Sequence, residues 1–265
     1  MPATVSRLFV YPVKSFGGIA LDASDVDDFG LRFDRRWMVL DRHGAFQTQR
    51  WRPRMALVRT ALMPDGRVSL SAPDMPPLLV PQGGGPVREA VVWKDSCRAE
   101  SCGVEADAWL SAFLGEPCHF VFMPDDSVRP IREGIGAPGR VSFADAYPFL
   151  LLSEASLDDL NARLPVPLPV NRFRPNIVVS GIDAYAEDDW PALEAGSVRF
   201  AVAKRCVRCV LTTIDQETAE GGTEPLRTLA TYRRVPDGVV FGVNLAHARP
   251  GRVSVGDRVL PIASG

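Results

Sequence analysis

The sequence has little of what most metal centres and secreted folds need. Its 265 residues hold three histidines and five cysteines, and only one C-x-x-C, Cys206-Val207-Arg208-Cys209. Without a second cysteine pair or a histidine pair, the four nitrogen and sulfur ligands of a closed zinc site do not assemble. An odd number of thiols in a chain of this length is not a secreted disulfide framework, so a reducing, cytoplasmic setting is expected. No apolar run approaches the roughly 18 residues of a membrane span, and the first residues lead into strand-like sequence without a signal-peptide pattern. No membrane association is expected. The formal net charge of −2 excludes bulk affinity for nucleic acid or anionic lipid, so any basic site is local.

What is present is ordinary globular composition, 46% hydrophobic and 23% charged, enough for one large domain or two compact ones. Short strand signals dominate. Leu8-Phe9-Val10-Tyr11 and Trp37-Met38-Val39-Leu40 are apolar runs closed by turn residues. Val198, Phe200 and Val202 alternate with less apolar neighbours, and Val253, Val255 and Val259 around Gly256-Asp257 predict a final hairpin. Helices are predicted over Val104 to Leu114, over Ser153 to Leu164 and after Pro225. The fold class expected is α+β, predominantly β. A boundary is expected in the Pro- and Gly-rich stretch of residues 116–140, giving a β-rich unit over 1–120 and a second over 121–265.

The C-x-x-C segment has four readings. Half a zinc site lacks its partner half, and a thioredoxin-like redox pair would open a helix. Here Cys209 runs into Val210-Leu211-Thr212-Thr213-Ile214, a β-branched stretch that reads as strand. Two buried structural thiols are the plainest reading. A single thiolate ligand for a soft metal, beside Arg205 and Arg208, fits better, because neighbouring positive charge favours the ligating form. In an extended segment residues three apart point to opposite faces, so one thiol would reach a given site.

Other motifs are weaker. Gly134-Ile135-Gly136-Ala137-Pro138-Gly139 matches G-x-G-x-x-G, but Pro138 interrupts it and Arg140-Val141-Ser142-Phe143 reads as strand, so the helix a phosphate would need is missing. Asp34, Asp188 and Asp189 have no spacing that fixes two carboxylates at one site. The histidines suggest no triad. Lys14-Ser15, Arg35 and Arg174 are polar and basic residues at strand ends. Together they could supply the charge-assisted hydrogen bonds that a phosphate and a polar heterocycle require.

Long ordered blocks then become recognisable: Tyr11-Pro12-Val13-Lys14-Ser15, Asp34-Arg35-Arg36-Trp37, Thr48-Gln49-Arg50, Phe173-Arg174-Pro175-Asn176 and Cys206 through Asp215. Over nearly its whole length the chain resembles the amidoxime-reducing proteins of the MOSC (molybdenum cofactor sulfurase C-terminal) family, the mitochondrial component of animals and its bacterial relatives. The resemblance implies an N-terminal β-rich domain followed by a MOSC β-barrel domain. It implies molybdenum cofactor, with Cys209 as metal ligand and catalytic residue. Lys14, Ser15, Arg35, Arg174, Asn176 and Arg208 would be cofactor-binding. Ala146-Tyr147 departs from the small hydroxyl residues frequent in relatives. Pyridoxal phosphate enters only as a general association of the family.

The activity implied is reduction of N-hydroxylated compounds: amidoximes, hydroxylamines and N-hydroxylated bases. No plant-type C-x4-C-x2-C spacing occurs, so electrons are expected from an external protein such as a ferredoxin, a flavodoxin or a cytochrome b5-like donor with its reductase. Two alternatives stay open: a carrier or sulfur-transfer protein using the thiol pair, and a degenerate barrel with no cofactor.

Overall fold

Alternation with one interruption builds the first strand. In Thr4–Val10, Val5, Leu8 and Val10 are buried and Arg7 is exposed, a pattern that changes phase where the register to Ile177–Ser180 shifts between Val5 and Arg7. The extra residue of a β-bulge lets both Val5 and Leu8 face the core although they lie three apart. The computed structural model describes residues 2–131 and 139–263, an α+β architecture in which strands predominate.

The largest sheet has nine strands. Along it run Val259–Ile262, Ala192–Ala195, Val198–Val207, Gly238–His247, Phe149–Ser153, Ile177–Ser180, Thr4–Val10 and Ile19–Leu21, with Arg234–Val235 paired to Gly238–His247 off this path. Its one parallel pair, Phe149–Ser153 with Ile177–Ser180, is joined through the helix Glu154–Arg163, as a crossover between parallel strands requires. Ser153 caps that helix by accepting from the Ser156 amide at 3.0 Å, and Leu157 and Leu160 bury its inner face. Two opening strands of the chain thus belong to a sheet built mostly from its second half. Among the described residues three smaller sheets accompany it. The helix Val104–Leu114, ended by left-handed Gly115, packs Trp109, Leu110 and Phe113 into a core with Phe16, Trp37 and Phe120.

Three local expectations fail for identifiable reasons. Gly251–Ser254 and Val259–Ile262 are strands but form no hairpin: the first pairs with Ala23–Asp27 and the second with Ala192–Ala195. The turn between them bonds the first strand instead, with Gly256 N donating to Val5 O at 2.8 Å and Val5 N to Asp257 O at 2.9 Å. Residues 140–143 form no strand beyond a single bridge from Arg140 to Pro130. The buried Arg129 guanidinium takes the Ser142 and Ala144 carbonyls at 2.7 and 2.5 Å, while the Val141 and Phe143 amides donate to the carbonyls of Arg129 and Arg35 at 2.9 Å each, so the segment's bonds are split between a side chain and two separate backbone points. Val210–Thr213 is a 3-10 turn. Thr212 Oγ1 donates back to Cys209 O at 3.0 Å and Thr213 Oγ1 to Val210 O at 2.8 Å, the local bonding by which threonine overrides its strand preference. Most of Gly134–Gly139 lies outside the described residues.

Candidate functional site

A cavity of about 330 Å³ lies where the segments leaving Thr4–Val10 and entering Phe149–Ser153 and Ile177–Ser180 meet the end of Val198–Val207. All seven residues singled out from the sequence line it: Lys14, Ser15, Arg35, Arg174, Asn176, Arg208 and Cys209. They come from four separated stretches of chain.

Three of them sit in backbone conformations that side chains avoid. Ser15, Arg35 and Arg174 have φ of 67°, 48° and 56°. A non-glycine residue in the left-handed region costs roughly 1–2 kcal/mol and persists only where its surroundings over-determine it. Here they do. Arg35 N donates to Tyr11 O at 2.8 Å, Gln49 Nε2 donates to Ser15 O at 2.8 Å, and Ser15 Oγ bonds Thr48 Oγ1 at 3.1 Å.

Tyr11 is the floor of this wall. The guanidinium carbons of Arg35 and Arg174 lie 4.4 and 4.2 Å from its ring centroid, so one buried ring carries two cations. Gly18 is required beside it, because a Cβ there would meet the ring at 2.4 Å. Burial pushes the Tyr11 phenol up to about 12. Burial, reinforced by Arg35, pulls Arg174 down to about 10. Arg174 Nη1 donates to Phe16 O at 2.6 Å, while its buried Nη2 has no partner. Such an orphan donor is costly unless something binds it. Arg35 is fixed by Asp34 Oδ2 at 2.5 Å, Asn176 Oδ1 at 3.1 Å and the Arg174 carbonyl at 3.3 Å.

A second charge cluster crosses the cavity. Lys14 Nζ donates to Phe143 O at 2.7 Å and to Asp145 Oδ1 at 2.6 Å, and Arg50 Nη2 donates to Asp145 Oδ2 at 2.6 Å. Desolvation lowers Lys14 to about 8 although Asp145 opposes it. Packing works against the Asp145 charge too, but Lys14 and Arg50 outweigh it and hold the carboxyl well below its usual range. Arg50 also faces Cys209. Burial disfavours the Arg50 charge, but Asp145 and the Cys209 sulfur keep it above its ordinary value.

The cation beside Cys209 is therefore not one the sequence suggested. Arg208 turns to the other thiol, Nη1 lying 3.0 Å from Cys206 Sγ and Nη2 donating to Phe173 O at 2.7 Å. Arg205 points away to Asp188 and Asp189, at 3.4 Å each. Both cysteines line the cavity, where the opposite-faces expectation allowed one. The register shifts between Arg205 and Val207, the strand stops at Val207, and the chain leaves regular alternation before Cys209. The other three cysteines are buried in cores, with thiols pushed up to about 11 for Cys97 and Cys118 and about 12 for Cys102 by that burial.

Arg50 and Asp145 were missed as site residues, as were Lys204, Thr212 and Asn244. Arg50 stood in a recognisable block, but nothing in the spacing indicated that Asp145 would bridge it to Lys14. Ala146-Tyr147 does line the cavity, so the departure noted in the sequence reaches the site. The remaining carboxylates stay apart: Asp34 is buried under Arg35, and Asp188 holds Arg233 and Arg205. Among the described residues no histidine lines the cavity.

Residues 2–117 match the MOSC N-terminal beta barrel domain and residues 138–260 the MOSC domain. Mitochondrial amidoxime-reducing component 1 of Mus musculus is 35% identical over 280 residues, covering 97% of this chain and 81% of that protein. The chain belongs to the MOSC family. Among its MOSC relatives, the human amidoxime-reducing component 1 is 34% identical over 278 residues, with 97% of this chain and 82% of that protein covered. Molybdenum cofactor sulfurase of Danio rerio is 31% identical across 97% of this chain but only 34% of its own length. Among the described residues no helix is long and apolar enough to cross a membrane.

Proposed function

We propose that this MOSC protein binds molybdenum cofactor at the cavity and reduces N-hydroxylated compounds there. The observation that carries the reading is one cavity joining a part-exposed thiol to a wall of buried cations, one with an orphan donor. A soft thiolate suits molybdenum, and Arg174 Nη2, which has no protein partner, suits a polar group of the pterin or its phosphate. Among the described residues no three His, Cys, Asp or Glu side chains gather as a metal site. One sulfur is then the protein's contribution, and the cofactor's own sulfurs and oxygens complete the set.

The bound group would supply two-electron chemistry, delivered to an N–O bond with two protons so that water leaves and the N-hydroxyl becomes N–H. The residues have separable tasks. Cys209 would hold the metal, and Arg50 would orient its sulfur. Lys14, Ser15, Arg35, Arg174, Asn176 and Arg208 would fix the pterin by hydrogen bonds whose direction is set before binding. The relatives' names, amidoxime-reducing components, support the substrate class. A separate electron donor of ferredoxin, flavodoxin or cytochrome b5 type completes the proposal, with a cytoplasmic setting.

The test is purification from a host that makes the cofactor, followed by molybdenum analysis and benzamidoxime reduction with reduced viologen. We expect near one metal per chain and turnover. Full metal content without N–O reduction would remove the reductase and leave the cofactor site. A second reading, delivery of cofactor or sulfur, is favoured by Cys206 and Cys209 sharing the cavity and by the sulfurase relative.

A further inference from the structure

A second cavity of about 220 Å³ adjoins the first and shares Asp145, Ala146 and Tyr147 with it. Its other walls are Trp93, Lys94, Asp95, Arg129 and Pro130. The shared wall is rigid. Buried Arg129 bonds the carbonyls of Ser142, Ala144 and Asp145 at 2.7, 2.5 and 2.8 Å and the Asp95 carboxylate at 3.0 Å.

Trp93 is the anomaly. It and Lys94 form the two-residue turn between Val87–Val92 and Asp95–Ser101, whose register pairs Asp95 with Val92. Its φ is 58°, at a position where such turns take Gly or Asn. A bulky ring there is strained, and 48% of Trp93 remains exposed, so it gains little from burial. Local rules broken without a gain in packing mark function. The ring is nonetheless fixed. It meets Phe46 edge-on at 5.0 Å, its Nε1 donates to Asp145 Oδ1 at 3.3 Å, and the Arg50 guanidinium carbon lies 5.0 Å from its centroid.

Arg50 lines the main cavity together with Cys209 and sets its guanidinium carbon 5.0 Å from the Trp93 ring centroid. It therefore links the cavity that holds the thiol to the one that holds the ring. We propose that the second cavity is a subsite for a flat aromatic or heteroaromatic ring carried by the substrate, with Trp93 as the residue that selects it. The inference rests on the N–O reductase reading and names the substrate class that reading takes: aryl amidoximes and aryl hydroxylamines over their small alkyl counterparts.

The test uses the molybdenum-loaded protein, with benzamidoxime and acetamidoxime as probes, in calorimetric binding and in viologen-driven turnover. Trp93→Asn is the informative variant, because Asn suits the turn and the fold should keep its Tm. The ratio of kcat/KM for benzamidoxime over acetamidoxime should fall about tenfold, and the ratio of the two binding constants likewise, the size expected for one lost aromatic contact with its buried area. Trp93→Phe should recover most of the ratio. Equal weakening toward both probes, or wild-type protein binding both equally, would overturn the subsite. So would molybdenum loss in Trp93→Asn, which would make the ring part of the cofactor's own seat. If the loaded wild-type protein reduces neither probe, the reductase reading fails while the binding ratio still decides the subsite.

Discussion

The two walls of the main cavity are built by opposite strategies. One, formed by Tyr11, Asp34, Arg35, Arg174 and Asn176, is almost entirely buried, bonded within itself and held in left-handed backbone at two of its five residues. The other is the Cys206–Cys209 segment, with Val207 inside it at 43% and Val210 after it at 49% exposure. The difference separates the binding of a large polar group from the presentation of a reactive atom. Strain and desolvated charge are tolerable only where packing over-determines them, so the recognition wall is rigid before anything binds. The thiol wall must stay reachable.

Removing the reactive atom should produce the largest effect. Cys209→Ala is expected to retain less than a tenth of the wild-type molybdenum and to lose at least about 100-fold in turnover, because the neighbouring thiol, Cys206, is held by Arg208 and does not take its place. Thermal unfolding should barely change, since a part-exposed thiol contributes little packing. A variant that kept both metal and activity would detach the chemistry from this wall.

Damage to the recognition wall should register as lost stability. Asp34→Ala leaves the Tyr11 amide and the Arg35 guanidinium without the carboxylate they share, at a position whose side chain is wholly buried. Orphaning such partners costs about 3 kcal/mol. Urea unfolding of the cofactor-free protein should show a lower midpoint at an unchanged slope. A cost below about 1 kcal/mol would mean the wall is not internally braced.

The sequence made these walls unequally legible. Apolar runs closed by turn residues identified the strands around residues 8 and 38, alternation the strand around 200, and one-sided periodicity with end residues the helices at 104 and 154, because all of these are local properties. The seven expected site residues do line one cavity, but that reading came from resemblance; no local pattern gathers Lys14, Arg35, Arg174 and Cys209 from separate elements. The errors have two causes. Side chains took over at Arg129, which holds the carbonyls of 142, 144 and 145, at the threonine hydroxyls after Cys209 and at Asp145, the bridge to Arg50, while the expected final hairpin lost to backbone pairing with distant strands. Such long-range or back-bonded partners leave no periodicity to find.

Lys14 offers a pH test of intermediate size. Its amine titrates near 8 in the fold and near 10.5 when exposed, so between those values the unfolded chain binds more protons. Stability of the cofactor-free protein should therefore rise with pH across that window, by up to about 3 kcal/mol for a shift of this size. Lys14→Met should abolish the rise relative to wild type, and urea midpoints at pH 8 and pH 10 measure it. Binding of an anionic group beside Lys14 has the opposite sign and should weaken above pH 8. A wild-type stability that moves in parallel with Lys14→Met would show that Asp145 keeps the amine charged throughout.

The smallest expected effect is the one that best separates the two functional readings. Cys206 shares the cavity with Cys209 but is engaged by Arg208 Nη1 at 3.0 Å. A serine hydroxyl can accept from the same guanidinium, so Cys206→Ser preserves the Arg208 position and removes only sulfur chemistry. If Cys209 alone holds the metal, turnover and molybdenum content should stay within about twofold of wild type. A carrier that passes sulfur between the two thiols would instead lose transfer altogether while still binding cofactor. Intact metal with abolished function in Cys206→Ser would thus move the thiol wall from ligand to relay, and the comparison of walls would have to be redrawn around two working sulfurs.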